Sequence, residues 1–343
     1  MMQPANSQQQ PAGTPADGAR QTRSGWIEAG LFIVTITLLN LSYVVAHTVG
    51  AHPIVFLVYA MLTAAVMLVA VAGPGSEPVR IMLAPLSWLV GAGIIGMEAF
   101  YFLTLWYVTP AEASVLTRLA IPVAMAMGYG VTGRRPAARA LLGAGFVTAG
   151  ILWLSSGMPA ETAIPGLALA FACAIVMSMR TYATEFHPWN RRAVTVIEKM
   201  RVTGLVLLST SITGTLLVAA LLAARAVGFL GAAHWLPDAD QFLHLPTLFV
   251  SLLVGAVVLT AMQYLSFSSV VKIGTQNFIA ATAFTPLVTL AAQELVVAAG
   301  WLRPMPVDWQ ILPAIAIVAV GVFVIISAGR PAVQQAPAQP PAG

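Results

Sequence analysis

Two ionisable residues stand inside long apolar runs, Glu98 in Gly-Met-Glu-Ala-Phe and Arg118 in Leu-Thr-Arg-Leu-Ala. A charge in hydrocarbon costs at least ~2.5 kcal/mol on insertion scales, so a side chain kept there is a functional candidate. Glu98 precedes Pro110 by twelve positions and Arg118 follows it by eight. At ~1.5 Å rise per residue they lie ~18 and ~12 Å below that turn, within about one helical turn of each other on adjacent antiparallel helices. In that setting Glu98 is suited to accept a proton or a substrate ammonium, and Arg118 to hold an anionic group such as a carboxylate. The alternative is a static ion pair joining the two helices.

Neutral polar residues extend the set. Asn40, Tyr43, Tyr101, Gln263, Tyr264 and Thr282 all fall within apolar segments and are expected to line a central cavity. Each alone is also explained by an interhelical hydrogen bond, worth ~0.6 kcal/mol on average. Arg180, Glu198, Lys199 and Arg201 gather at the expected inner ends of the sixth and seventh helices, where Arg180 and Glu198 are candidates for a cytoplasmic gate and interfacial anchoring is the alternative. Glu294, beside Gln293, is expected near the outer surface.

The elements that must position these residues are membrane helices. Of the 343 residues 59% are hydrophobic and only 8% charged, too little polar surface for a soluble domain. Ten stretches approach the ~20 apolar residues that a spanning helix needs. They run about 26–46, 53–72, 81–108, 113–131, 140–156, 164–182, 196–224, 245–271, 273–297 and 309–328. None alternates as a barrel strand would, and open strands cannot cross a bilayer. Lys and Arg in short loops stay cytoplasmic. With both termini inside, the cytoplasmic segments collect Arg20, Arg23, Arg80, Arg134, Arg135, Arg139, Arg191, Arg192, Lys272 and Arg330, leaving only Arg225 and Arg303 outside. Trp106, Trp153, Trp235, Trp301 and Trp309 then fall near outer ends, as an aromatic belt would. The polar tails 1–24 and 331–343 are expected to be disordered and cytoplasmic.

An internal repeat divides the chain. Leu89-Val90-Gly91-Ala92 recurs 164 positions later as Leu253-Val254-Gly255-Ala256, and the same offset carries Pro122 onto Pro286 and Arg118 onto Thr282. Five helices per half put the second half upside down. The expected fold is therefore all-α and polytopic, ten transmembrane helices as two inverted five-helix repeats over 25–157 and 158–330, an architecture on which secondary transporters build midplane sites.

Between Val108-Thr-Pro-Ala-Glu-Ala-Ser114, Ala120-Ile-Pro-Val123, Gly133-Arg-Arg-Pro136 and the glycine-spaced Leu142–Ile151, the chain resembles the EamA-type, ten-helix branch of the drug/metabolite transporter superfamily. The second half follows more loosely, from Lys272-Ile-Gly-Thr-Gln276 through Pro286 to Gly321-Val322. Arg134 stands where that family's loop usually has an acidic residue, and Phe56-Leu-Val-Tyr59 has no arginine where its second helix often begins with one. The resemblance implies gradient-driven or proton-coupled movement of small metabolites, commonly amino acids outward, by alternating access in the inner membrane. It places helices one to four and six to nine around the cavity, with five and ten peripheral. A multidrug or dye exporter is the alternative within the class.

Other classes find less support. No glycine loop ending in Lys-Ser or Lys-Thr is present for an ATP-driven motor. His47 and His52 point about 140° apart around a helix, and His187, His234 and His244 are scattered, so neither a metal enzyme nor a cofactor is expected. The lone Cys173 allows no internal disulfide. The cations are dispersed, which argues against nucleic acid despite a pI near 9.5. The expected partners are a small-molecule substrate, protons and membrane lipid; monomer and homodimer stay open. An enzyme, channel or sensor remains the distant alternative.

Overall fold

The computed structural model describes residues 15–229, 237–300 and 310–327. Among the described residues, nine helices are long and apolar enough to cross a membrane. They are α1 (Pro15–Thr48), α2 (Pro53–Ala72), α3 (Pro85–Thr104), α4 (Pro110–Thr132), α5 (Ala138–Ser156), α6 (Ala160–Phe186), α7 (Val196–Ala226), α8 (Leu245–Ile273) and α9 (Thr275–Ala298). A shorter apolar helix, α10 (Ile311–Ser327), follows. The surface and the interior are those of a polytopic membrane protein. Phe249 and Phe323 are each 71% exposed, while Glu98, Arg118, Arg180 and Gln263 are buried. Apolar side chains on that scale are stable against lipid, not water.

Local chemistry sets the boundaries. Pro53, Pro85 and Pro110 each occupy a first helical turn, where their missing N–H costs nothing. Thr109 and Glu112 form a capping box that starts α4, and Thr195 and Glu198 form another that starts α7. The stretch expected as one helix over 81–108 is two, because Pro85 ends the short helix Pro78–Met82 and starts α3. α1 begins at Pro15, inside the segment expected to be disordered; residues 331–343, with Arg303, Arg330, His234, Trp235, Trp301 and Trp309, lie outside the described residues.

Three helices are interrupted. α4 tightens to a 3-10 turn at Thr117–Leu119 just before Pro122, and α9 does so at Thr282–Phe284 just before Pro286. Proline cannot donate the bond that a regular α-helix would need there, and its ring crowds the preceding turn. α8 widens into a π turn at Gly255–Leu259. The main packed pairs are α3 with α6, α1 with α8, α2 with α7 and α5 with α10. Smaller contacts join α4 to α6, α1 to α9, α2 to α8, α3 to α7 and α4 to α9.

Candidate functional site

The polar centre is assembled on α1, α3, α6 and α8. Gly93 lets α6 approach α3, since a Cβ there would lie 2.6 Å from Arg180 Cβ. From that contact the Arg180 side chain runs along α3: Nη1 meets Met97 Sδ at 3.6 Å, while Nη2 donates to Gln263 Oε1 at 3.0 Å and Ser266 Oγ at 3.2 Å. Because the arginine is a donor only, Gln263 must present its oxygen there, which leaves Nε2 as a free donor. Glu98, one position beyond Met97, accepts a 2.6 Å hydrogen bond from Tyr43 OH on α1. The Tyr101 ring lies 6.4 Å from that of Tyr43, which also packs edge-on against Phe56 at 5.6 Å.

Four buried polar atoms in this cluster have no hydrogen-bond partner from the protein: Glu98 Oε1, Tyr101 OH, Arg180 Nε and Gln263 Nε2. Three are donors and one is an acceptor if Glu98 is ionised. Leaving such a group unsatisfied costs about 1–3 kcal/mol, so each of the four is open to a polar partner. A carboxylate matches the arginine and amide donors. An ammonium matches Glu98.

Arg118 is held elsewhere. Its Nη1 donates to the Thr282 carbonyl and, at 3.1 Å, to Thr282 Oγ1; Nη2 donates to Thr117 Oγ1 at 3.2 Å and Nε to the Ser114 carbonyl at 2.9 Å. The residue thus ties the interrupted turn of α4 to that of α9. Among the described residues the ion pairs are Arg80–Glu77, Arg134–Glu185, Arg225–Asp238 and Lys272–Glu28, so Glu98 and Arg118 form none. The cation whose field reaches Glu98 is Arg180.

The remaining sequence candidates divide. Tyr43, Tyr101 and Gln263 belong to the centre; Asn40 is buried one helical turn from Tyr43 on α1. Thr282 faces Arg118. Tyr264 is half-buried on α8 and feels the charge of Glu28. Arg180, expected at an inner helix end, is 2% exposed in the centre, because α6 continues past Tyr182 to Phe186. Glu198 is spent on its own capping box, with Oε2 accepting from the Val194 and Thr195 amides at 2.8 and 3.0 Å. Glu294 is exposed on α9.

A second polar group lies at the end of the bundle where α1 starts; of its members Lys199 and Arg201 are expected from sequence at the inner helix ends, and His187, Asn190 and Ser87 are not. The buried His187 ring accepts from the Asn190 amide at Nδ1 and so carries its proton on Nε2, 2.9 Å from Ser87 Oγ, which in turn donates to the Ile81 carbonyl. Burial holds this imidazole down at about 4. Asn190 Nδ2 donates to the Phe267 carbonyl at 2.9 Å and Lys199 Nζ to the Asn190 carbonyl at 3.3 Å. At the same end Lys272 on α8 bonds Glu28 and Ser24 on α1, and Glu185 on α6 takes both Arg134, at 2.8 Å, and the Thr275 amide that starts α9. Arg201 on α7 donates to the Gly73 and Ala72 carbonyls that end α2. The sequence signal was present in His187-Pro188 and Glu185, but only the packing brings them together.

Fold and centre together define an α-helical polytopic membrane protein with a buried polar core. No family model and no curated protein matches the chain. A solved structure described only as "Crystal structure of protein" is similar to it, 18% identical with a TM-score of 0.58, over 89% of this chain and 98% of that one. The likeness is one of fold alone.

Proposed function

We propose that this chain is a secondary transporter that moves small zwitterionic metabolites, amino acids or related amphiphiles, across the inner membrane by alternating access, with export as its direction and both termini cytoplasmic. The observation that carries the reading is the group of unpartnered polar atoms on α3, α6 and α8: three donors around Arg180 and Gln263 beside one carboxylate oxygen of Glu98. Arg180, with Gln263 and Tyr101, receives the solute carboxylate; Glu98 receives its ammonium or, when the solute is absent, a proton. Arg118 braces the two interrupted helices rather than binding the solute.

The architecture in this proposal is ten spanning helices in two inverted halves, the EamA-type arrangement of drug/metabolite transporters. The packing supports it: exchanging each helix with the one five places along converts α3–α6 into α8–α1 and α4–α6 into α9–α1, and maps α2–α7, α4–α9 and α5–α10 onto themselves. The repeated glycines obey the same exchange. A Cβ on Gly91 would lie 3.1 Å from Thr210 Cβ on α7, and one on Gly255 would lie 2.8 Å from Thr63 Cβ on α2. The two 3-10 turns also fall at equivalent places, joined by Arg118.

Counterflow of a labelled amino-acid panel in proteoliposomes tests the reading, with and without a proton gradient. Wild type should exchange at least one zwitterion, and Glu98→Gln should keep exchange while losing gradient-driven accumulation. Movement of no solute in any condition refutes amino-acid transport.

A further inference from the structure

Two short helices, Pro78–Met82 before α3 and Pro188–Arg192 after α6, lie together at the end of the bundle where α1 starts. Trp189 Nε1 donates to Glu77 Oε2 at 3.4 Å, and behind them the buried Ser87–His187 contact fixes one segment against the other. Between them is a cleft of about 420 Å³ lined by Val79, Leu83, Leu86, Pro188 and Trp189, with Arg80 at its edge. Arg80 is the only charged residue of the lining. Val79 and Leu83 are 63% and 62% exposed, so the cleft is open outward.

The charges at its rim have one sign in excess. Arg80 and Arg192 are exposed, against Glu77 as the acidic residue on which both act. Arg80 and Arg192 both act on the Glu77 carboxylate and hold it below the usual carboxylate range, Arg80 through a 2.6 Å hydrogen bond. An exposed pair of this kind is weakly held, so Arg80 can exchange it for a phosphate, which it binds with charge-assisted hydrogen bonds. An apolar cleft at the end of membrane spans, with cations above it, has the two chemistries of a phospholipid in the right order: acyl chain within reach of the spans, headgroup at the interface.

We propose that this cleft is a binding site for an anionic phospholipid, its acyl chain against Val79, Leu83 and Leu86 and its phosphate between Arg80 and Arg192. The site stands on the membrane fold and the local charge. It does not depend on the transport reading.

Native mass spectrometry of the detergent-purified full chain, with palmitoyl-oleoyl phosphatidylglycerol or phosphatidylcholine added, tests it. Wild type should retain the phosphatidylglycerol roughly thirtyfold more than the phosphatidylcholine, as two cations near a membrane surface imply. The double variant Arg80→Gln/Arg192→Gln should lose the preference without a change in melting temperature, since both side chains are exposed. Equal retention of the two lipids by wild type, or an undiminished preference in the double variant, overturns the proposal. Quenching of Trp189 by phosphatidylglycerol with brominated acyl chains, read as the difference between wild type and Trp189→Phe, locates the lipid in the wild-type fold; no difference, or a dimer closed over this face instead of a lipid, also overturns it.

Discussion

Arg180 and Arg118 are both buried cations, yet their surroundings differ in a way that assigns them different work. Arg118 spends its donors on Ser114, Thr117 and Thr282, whereas Arg180 keeps Nε free beside Gln263 and Glu98. Arg180→Gln should therefore weaken binding of a carboxylate-bearing solute about tenfold to a hundredfold, the worth of a charged hydrogen bond, beyond any lowering of the melting temperature from the lost bonds to Gln263 and Ser266. Arg118→Ala should do the reverse: it removes the charged hydrogen bonds that tie the interrupted turn of α4 to that of α9 and lowers stability by about 1.5–3 kcal/mol, read by thermal unfolding in detergent, with little effect on solute affinity in the surviving fold. His187 supplies a pH dependence with a defined sign. Its folded pKa of about 4 lies below the ordinary value of 6.5, so between those values the unfolded chain binds the proton and the folded one does not. Stability is full above pH ~6.5 and falls as the pH drops toward ~4. Melting curves across that range should show the loss, and His187→Gln should flatten it.

Hydropathy made the spans readable from sequence because a bilayer demands length and apolar composition, and both are local properties. Capping was readable too, in Thr109-Pro-Ala-Glu112 and Thr195-Val-Ile-Glu198. The partner of Glu98 was not. Rise per residue gives depth, but azimuth decides which side chains meet, and the 3-10 turn at Thr117–Leu119 rotates Arg118 toward α9. Arg180 differs from its expected place for another reason: hydropathy alone ends the helix at Tyr182, although Ala183–Phe186 has no breaker before His187-Pro188. At this scale the α5–α10 pair invites its own test. A Cβ on Gly150 would lie 2.9 Å from the Ala314 carbonyl, and overpacking of that kind costs typically 1–3 kcal/mol. Gly150→Val should lower the melting temperature, yet counterflow by the folded fraction should persist, because neither helix contributes to the polar centre. Loss of exchange without loss of stability would put α5 in the transport path.

Among the described residues, a set of polar ties joins the helices at the end of the bundle where α1 starts. Lys272–Glu28, Glu185 with Arg134 and Thr275, and Arg201 with the end of α2 all lie where α1 starts; at the far end the ties include Tyr59 to the Phe242 carbonyl and Arg225 to Asp238. A carrier that alternates must release the first set to open that way, so Glu28→Gln should shift the population toward opening there by roughly tenfold. The measure is the rate at which a membrane-impermeant maleimide modifies a cysteine at Ser269 in a Cys173→Ala background, and an unchanged rate removes the tie from any gating role. The native Cys173 has a use of its own. It is 2% exposed on α6, with Sγ 3.5 Å from the Met97 carbonyl next to Glu98, and it is the sole thiol of the chain. The unmodified protein therefore carries a single chemical clock at its centre: a thiol reagent can advance it only during the moments when the core is laid open, so labelling kinetics of the wild-type chain would time those moments with no label engineered in.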